Sequence, residues 1–114
     1  MNILSISALA VGAWCIINGI LHDIFVLKSD YGKQYDRELL RLLMDGHVLI
    51  TCGAIQAVSF IGLQHNAHWA YAVAAIATIS LLVYCAMIWP FLKSVVTMML
   101  NLALLGLIIV AWFK

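Results

Sequence analysis

The chain has 114 residues, of which 66% are hydrophobic and 10% are charged, and its formal net charge is +1. Such a composition is too apolar for an ordinary soluble domain and predicts a single membrane domain over residues 1–114. Nucleic acid is excluded as a partner, because phosphate binding needs a clustered basic surface that this sequence lacks.

Four apolar runs are long enough to cross a bilayer, since a helical span needs about 20 apolar residues. The first run lacks the basic start and the cleavage site of a secretory signal, so we interpret it as a permanent span. Backbone groups in lipid must bond within their own segment, and short connections favour antiparallel neighbours. The sequence therefore predicts an all-α, antiparallel four-helix membrane bundle with helices at residues 3–27, 39–63, 68–89 and 92–113.

The polar segment 28–38 connects the first two spans and sets the expected orientation. Loop 1, which joins the first two spans, and loop 3, which joins the last two, lie on the same side of a membrane that is crossed four times. By the positive-inside rule we expect both loops in the cytoplasm and both termini outside. The location predicted from this pattern is an inner membrane of the bacterial type. The basic residues on the predicted cytoplasmic side are Lys28, Lys33, Arg37, Arg41 and Lys93.

Polar side chains within the spans mark the candidate site. At about 100° per residue, Asn18 and His22 share one face of the first helix, and Asp45 and Gln56 share one face of the second. Asn101 lies near mid-membrane in the fourth helix and is expected to hydrogen-bond to another helix. The candidate ligand or proton site, placed in the cytoplasmic half, comprises Asn18, His22, Arg41, Asp45, Gln56 and Asn101.

The pair expected at the centre of this site is Asp45 and His22. A histidine beside a carboxylate can exchange protons as a ligand enters or leaves. Arg41 is the expected partner of Asp45 on the same helix, and Asp23 is expected to reach Lys28 or Arg41. The sequence favours a transporter-like or channel-like protein, rather than an enzyme, whose polar pocket binds or passes a small solute or a proton. The alternative is a structural hydrogen-bond network whose members each contribute about 1 kcal/mol or less.

A haem or metal site is another alternative for the histidines. His22 and His47 lie at similar estimated depths, and histidines on facing helices can ligate haem iron or a transition metal. However, two residues turn a helix by about 200°, so His47 points away from the face that holds Asp45. Motifs such as H-E-x-x-H and C-x-x-C-H are also missing. The sequence therefore favours no cofactor, and it assigns no catalytic residue.

Partners are expected within the membrane. Besides the lipid bilayer, these are further copies of the chain or other membrane subunits, because four helices enclose little volume for a transport path. A role as an accessory subunit of a larger membrane complex is the alternative function. Small residues let helices approach closely, so the predicted contact surface is the face of the third helix formed by Ala67, Ala70, Ala74 and Ala77.

In length and number of spans the chain resembles the small multidrug-resistance transporters, which are four-helix membrane proteins that act as dimers. The resemblance implies the same architecture. The glutamate that those transporters carry within their first helix is missing here, where the corresponding helix offers Asn18, His22 and Asp23. The function of that family is therefore not carried over to this chain.

Overall fold

The computed structural model describes residues 3–90 and 95–113, which form four long helices and one 3₁₀ turn. The helices are α1 (Ile3–Lys28), α2 (Arg37–Gln64), α3 (His68–Ile88) and α4 (Val95–Trp112), and the 3₁₀ turn is Asp30–Lys33. All four helices are long and apolar enough to cross a membrane, so the predicted all-α bundle of four spans is confirmed. Their boundaries lie within one or two residues of the prediction, except that the predicted start at residue 92 falls outside the described residues.

Packing around the bundle follows the order of the chain. Each helix packs against the next, and α4 closes the ring by packing against α1. Short connections make consecutive helices antiparallel. Between the helices lies a core of buried apolar side chains, which includes Leu4, Ala8, Val11, Leu63, Leu81, Leu104 and Ile108.

The contact between α1 and α2 is built on four glycines, which we call the glycine seam. Gly12 and Gly19 lie about two turns apart on α1, and Gly46 and Gly53 have the same spacing on α2. A Cβ added at Gly12 or at Gly19 would lie 2.5 Å from the carbonyl oxygen of Gly53 or Gly46, respectively. Since no side chain fits at that distance, only glycine lets the two backbones approach so closely.

Local hydrogen bonds close both ends of α2. At its start, the carboxylate of Asp36 accepts a hydrogen bond from the N–H of Leu39 at 2.9 Å. At its end, Asn66 adopts a φ of 54°, a left-handed conformation that asparagine tolerates better than most residues. The N–H of Ala67 then donates to the carbonyl of Gly62 at 3.0 Å, as in a Schellman motif. This turn places α3 directly beside α2.

The alanine face of α3 is used inside the chain. Ala70 and Ala74 have no exposed surface, and Ala77 is 2% exposed. Ala70 also lies against Gly62 of α2, because small side chains at this contact let the two helices pack closely. Contrary to the prediction, this face is therefore occupied by neighbouring helices of the same bundle and does not point towards a second protomer.

The two ends of the bundle differ. At the turn end, where α2 connects to α3, the ring of His68 on α3 lies 5.7 Å from the ring of Trp112 on α4. At the loop end, where α1 leads into α2, α2 extends past α3, because these two helices meet at the short turn and have 28 and 21 residues, respectively. At about 1.5 Å per residue, α2 projects about 10 Å beyond α3.

Candidate functional site

A buried hydrogen-bond network links all four helices in the bundle interior. The amide of Gln56 on α2 donates to the hydroxyl of Thr78 on α3 at 3.0 Å and to Oδ1 of Asn101 on α4 at 2.8 Å. The amide of Asn101 donates a weaker bond to the sulfur of Cys15 on α1 at 3.9 Å. We call these four residues the interior node, and none of them has exposed surface. The prediction that Asn101 hydrogen-bonds to another helix is confirmed.

One backbone carbonyl fixes the direction of the bonds in the interior node. The Nδ2 of Asn101 lies 2.8 Å from the carbonyl oxygen of Thr97, one turn earlier on α4. A carbonyl can only accept, so Asn101 must place its NH₂ group there and turn its Oδ1 towards Gln56. Gln56 must then present its own NH₂ group, which leaves its Oε1 buried with no hydrogen-bond donor among the described residues.

Two further bonds surround the interior node. The indole N–H of Trp14 on α1 donates to the hydroxyl of Thr97 on α4 at 3.3 Å, which joins the first and last helices a second time. The hydroxyl of Ser59 donates to the backbone carbonyl of Gln56 at 2.6 Å. Apart from Oε1 of Gln56, the polar side-chain groups named here bond to other groups of the protein, as a membrane interior requires.

Two of the predicted site residues bond to helix backbone instead of to each other. Asn18 donates to the carbonyl oxygen of Trp14 on its own helix at 2.8 Å. The Nε2 of His22 lies 3.0 Å from the carbonyl oxygen of Leu42, so the ring N–H donates across the contact between α1 and α2. The bond expected between His22 and Asp45 is not found among the described residues, because the nearer backbone acceptor takes this donor.

Arg41 and Asp45 do not form the expected ion pair. Arg41 is exposed and Asp45 is half-buried, and the salt bridge found among the described residues joins Lys33 to Asp30 in the 3₁₀ turn. Arg41 lies on the part of α2 that projects beyond α3. The face of α2 that carries Gln56 therefore becomes interior only further towards the turn end.

Asp23 on α1 is a carboxylate whose surroundings differ from the expectation. It lies against Gly46, and a Cβ at that position would collide with its carboxylate. Its Oδ1 is buried and has no hydrogen-bond donor in the described part of the chain. Lys28 and Arg41 form no salt bridge with it there, so the expected ion pair is wrong.

Other ionisable side chains surround Asp23. His22, His47 and Asp45 lie within electrostatic range of its carboxylate. Tyr84 on α3 lies within range of both Asp23 and Asp45. We call these five residues, which come from three helices, the loop-end cluster. His47 is exposed, which agrees with the prediction that it points away from the face of Asp45.

The histidines considered for haem or a metal belong to the loop-end cluster but are not arranged there with other described residues as a metal site. The ring of His22 is engaged by the carbonyl of Leu42, and His47 is exposed. Within residues 3–90 and 95–113, no group of three histidine, cysteine, aspartate or glutamate side chains is arranged to hold a metal ion. The described residues therefore offer no three-ligand set for a metal ion.

A groove of about 280 Å³ lies on the outer surface between α2 and α3. It is nearer the turn end, and its walls are almost entirely apolar, so its chemistry suits lipid chains and not a polar solute. It contains none of the predicted site residues. Its lining residues are Ala54, Ile55, Val58, Ser59, Trp69 and Val73.

Four of the six predicted site residues belong to two separate clusters. Gln56 and Asn101 meet in the interior node, and His22 and Asp45 belong to the loop-end cluster. Asn18 and Arg41 belong to neither.

Sequence reasoning missed Thr78, Cys15 and Tyr84. The hydroxyl of a threonine and the thiol of a cysteine in a helix often bond to their own backbone, so they give no sign of a partner on another helix. A signal for Asp23 did exist. No basic residue stands three or four positions from it on its helix, so it had no local partner for its charge.

Comparison with known protein families, curated proteins and solved structures gave no significant match to the chain. The likeness to the small multidrug-resistance transporters therefore rests on length and span number alone. The features of the chain that bear on its function are the interior node and the loop-end cluster.

Proposed function

We propose that this integral membrane protein binds or passes protons at the loop-end cluster. The observation that carries the proposal is the buried Oδ1 of Asp23, which has no hydrogen-bond donor among the described residues. Ionisable groups inside spans are rare and costly, and they commonly mark a binding site or an ion path. A carboxylate without a lysine or arginine partner is neutralised most simply by a proton, which is the smallest of the solutes that the sequence suggested.

The groups around Asp23 suit proton exchange. His22 and His47 lie within electrostatic range of its carboxylate, and histidine is the side chain that ordinarily changes charge near neutral pH. Asp45 supplies a second carboxylate to which a proton can pass. The hydrogen bond from His22 to the carbonyl of Leu42 holds the imidazole at the contact between α1 and α2. Donor and acceptor groups are thereby gathered at one end of the bundle.

We further propose that the loop end faces the cytoplasm of a cell with a bacterial type of inner membrane. The basic residues of loops 1 and 3 support this orientation through the positive-inside rule. Asp23 then lies about 7 Å inside the level of Lys28, within reach of cytoplasmic protons. Because four helices enclose little volume, the rest of the path would run between copies of the chain, or between it and other membrane subunits.

The test uses purified protein in liposomes that contain a pH-sensitive dye. After an imposed pH step, wild-type protein should dissipate the gradient faster than liposomes without protein. Asp23→Asn removes the titratable group but keeps its size, and we expect it to lose most of the added rate. Asp30→Asn is the matched control, because Asp30 is exposed in the 3₁₀ turn and should keep the wild-type rate.

Correct folding of each variant is checked by helical circular dichroism and by elution in mild detergent. If Asp23→Asn dissipates the gradient as fast as the wild type, Asp23 is not the proton site. If liposomes with wild-type protein behave like empty ones, the proposal of proton passage is wrong. Proton binding is then tested by the pH dependence of tryptophan fluorescence. A change that Asp23→Asn abolishes would restrict the function to proton binding.

A further inference from the structure

The interior node contains one acceptor, Oε1 of Gln56, that no donor among the described residues reaches. Gln56 has no exposed surface, and its Oε1 has no donor among the described residues. Turning the amide over does not solve this, because the Gln56 oxygen would then face Oδ1 of Asn101, whose orientation the Thr97 carbonyl fixes. In a membrane interior an amide oxygen without a donor is strongly unfavourable, since no solvent reaches it.

The chemistry around Gln56 defines the missing donor. The interior node contains two amides, one hydroxyl and one thiol, so it offers no charge to balance a cation. The donor must therefore be neutral. It must also be small, because Gln56, Thr78 and Asn101 are all fully buried.

We infer that a single water molecule binds inside the bundle and donates a hydrogen bond to Oε1 of Gln56. Buried waters make two to four hydrogen bonds, and the hydroxyl of Thr78 and the thiol of Cys15 are the further polar groups that the interior node offers. This site is independent of proton binding at Asp23. Gln56 lies about 16 Å along α2 from Asp45, so the two polar clusters are not in contact.

The experiment is a water-transfer measurement by solid-state NMR on the full chain in lipid bilayers. The chain contains three glutamines, Gln34, Gln56 and Gln64, so selective glutamine labelling gives few side-chain signals. The signal that disappears in Gln56→Met assigns the carboxamide carbon of Gln56. We expect magnetisation to pass from water to this carbon, as it does to exposed Gln34. A second sample is labelled at leucine, and the signal that disappears in Leu81→Met assigns Leu81. We expect no transfer to its side chain, which has no exposed surface.

Absence of transfer to Gln56, with transfer to Gln34 intact, would overturn the inference. Equal transfer to Gln56 and Leu81 would also overturn it, because water would then penetrate the whole bundle instead of occupying one site. Neither result bears on proton binding at Asp23, since that is measured separately by the liposome and fluorescence experiments.

Discussion

At the scale of single residues, this bundle pairs most of the polar side chains of its interior across helices. The amide of Gln56 bonds to α3 and α4, and the amide of Asn101 reaches α1. In membrane proteins such interhelical bonds contribute about 0.6 kcal/mol on average and up to about 1.7 kcal/mol. Their modest energy matters less than their direction, because each bond is satisfied only when the helices keep one register.

Thr78→Val tests the strength of this network. The substitution keeps the shape of the side chain but removes the hydroxyl that accepts from Gln56 at 3.0 Å. We expect the free energy of unfolding in bilayers to fall by about 0.6–1.7 kcal/mol. Ser80→Ala, at an exposed position of the same helix, is the control and should change stability less. Equal effects of the two substitutions would mean that the Thr78 bond contributes nothing.

The side-chain roles that could be predicted from the sequence belong to residues whose chemistry allows only one kind of interaction. An amide in mid-membrane must bond to something, and a helix interior leaves it few partners, so the role of Asn101 was predictable. His22 was not, because a ring N–H can also donate to a backbone carbonyl, and such carbonyls are present all along the facing helix. Side-chain angles around a helix therefore indicate a direction but do not identify a partner.

At the scale of helices, the closest contact is set by glycine and not by polar side chains. Gly12 and Gly19 share one face of α1, and Gly46 and Gly53 share one face of α2. The seven-residue spacing in both helices was visible in the sequence, and it predicts a seam once the two faces are known to meet. The polar face of α1 that was expected to line the site, with Asn18 and His22, is only partly buried, because the seam turns the helix towards its glycines.

Gly19→Ala and Gly106→Ala form a matched test of the glycine seam. An added Cβ at Gly19 meets the carbonyl oxygen of Gly46 at 2.5 Å and a side-chain carbon of Ile50 at 2.7 Å, whereas at Gly106 nothing lies within 4 Å. We expect Gly19→Ala to lose about 1–3 kcal/mol of unfolding free energy. Gly106→Ala should range from no change to a gain of about 1 kcal/mol, because alanine favours helix. Reversible unfolding in mixed micelles measures both, and equal losses would rule out the seam as the tight contact.

At the scale of the whole molecule, hydropathy predicted the number, type and approximate ends of the spans, because lipid imposes length and helicity on any crossing segment. It did not predict that α2 projects beyond α3 at the loop end. Depths counted from the nearest charge assume that all helices end at one level, and Arg41 lies on the projecting part. For this reason Arg41 and Asp45 were expected within one pocket. The described helices do not enclose a pocket around both residues.

The orientation of the molecule is the last expectation open to a direct test. Tyr35, in the connection between α1 and α2, is 76% exposed, and His65 is exposed at the turn end. In right-side-out spheroplasts, a membrane-impermeant maleimide should label His65→Cys at once and Tyr35→Cys only after permeabilisation, because the basic loops are expected in the cytoplasm. Wild-type protein is the background control, since Cys15 and Cys85 are buried and Cys52 is half-buried. The reverse pattern would place the loop-end cluster on the outside, and Asp23 would then exchange protons with the external medium instead of the cytoplasm.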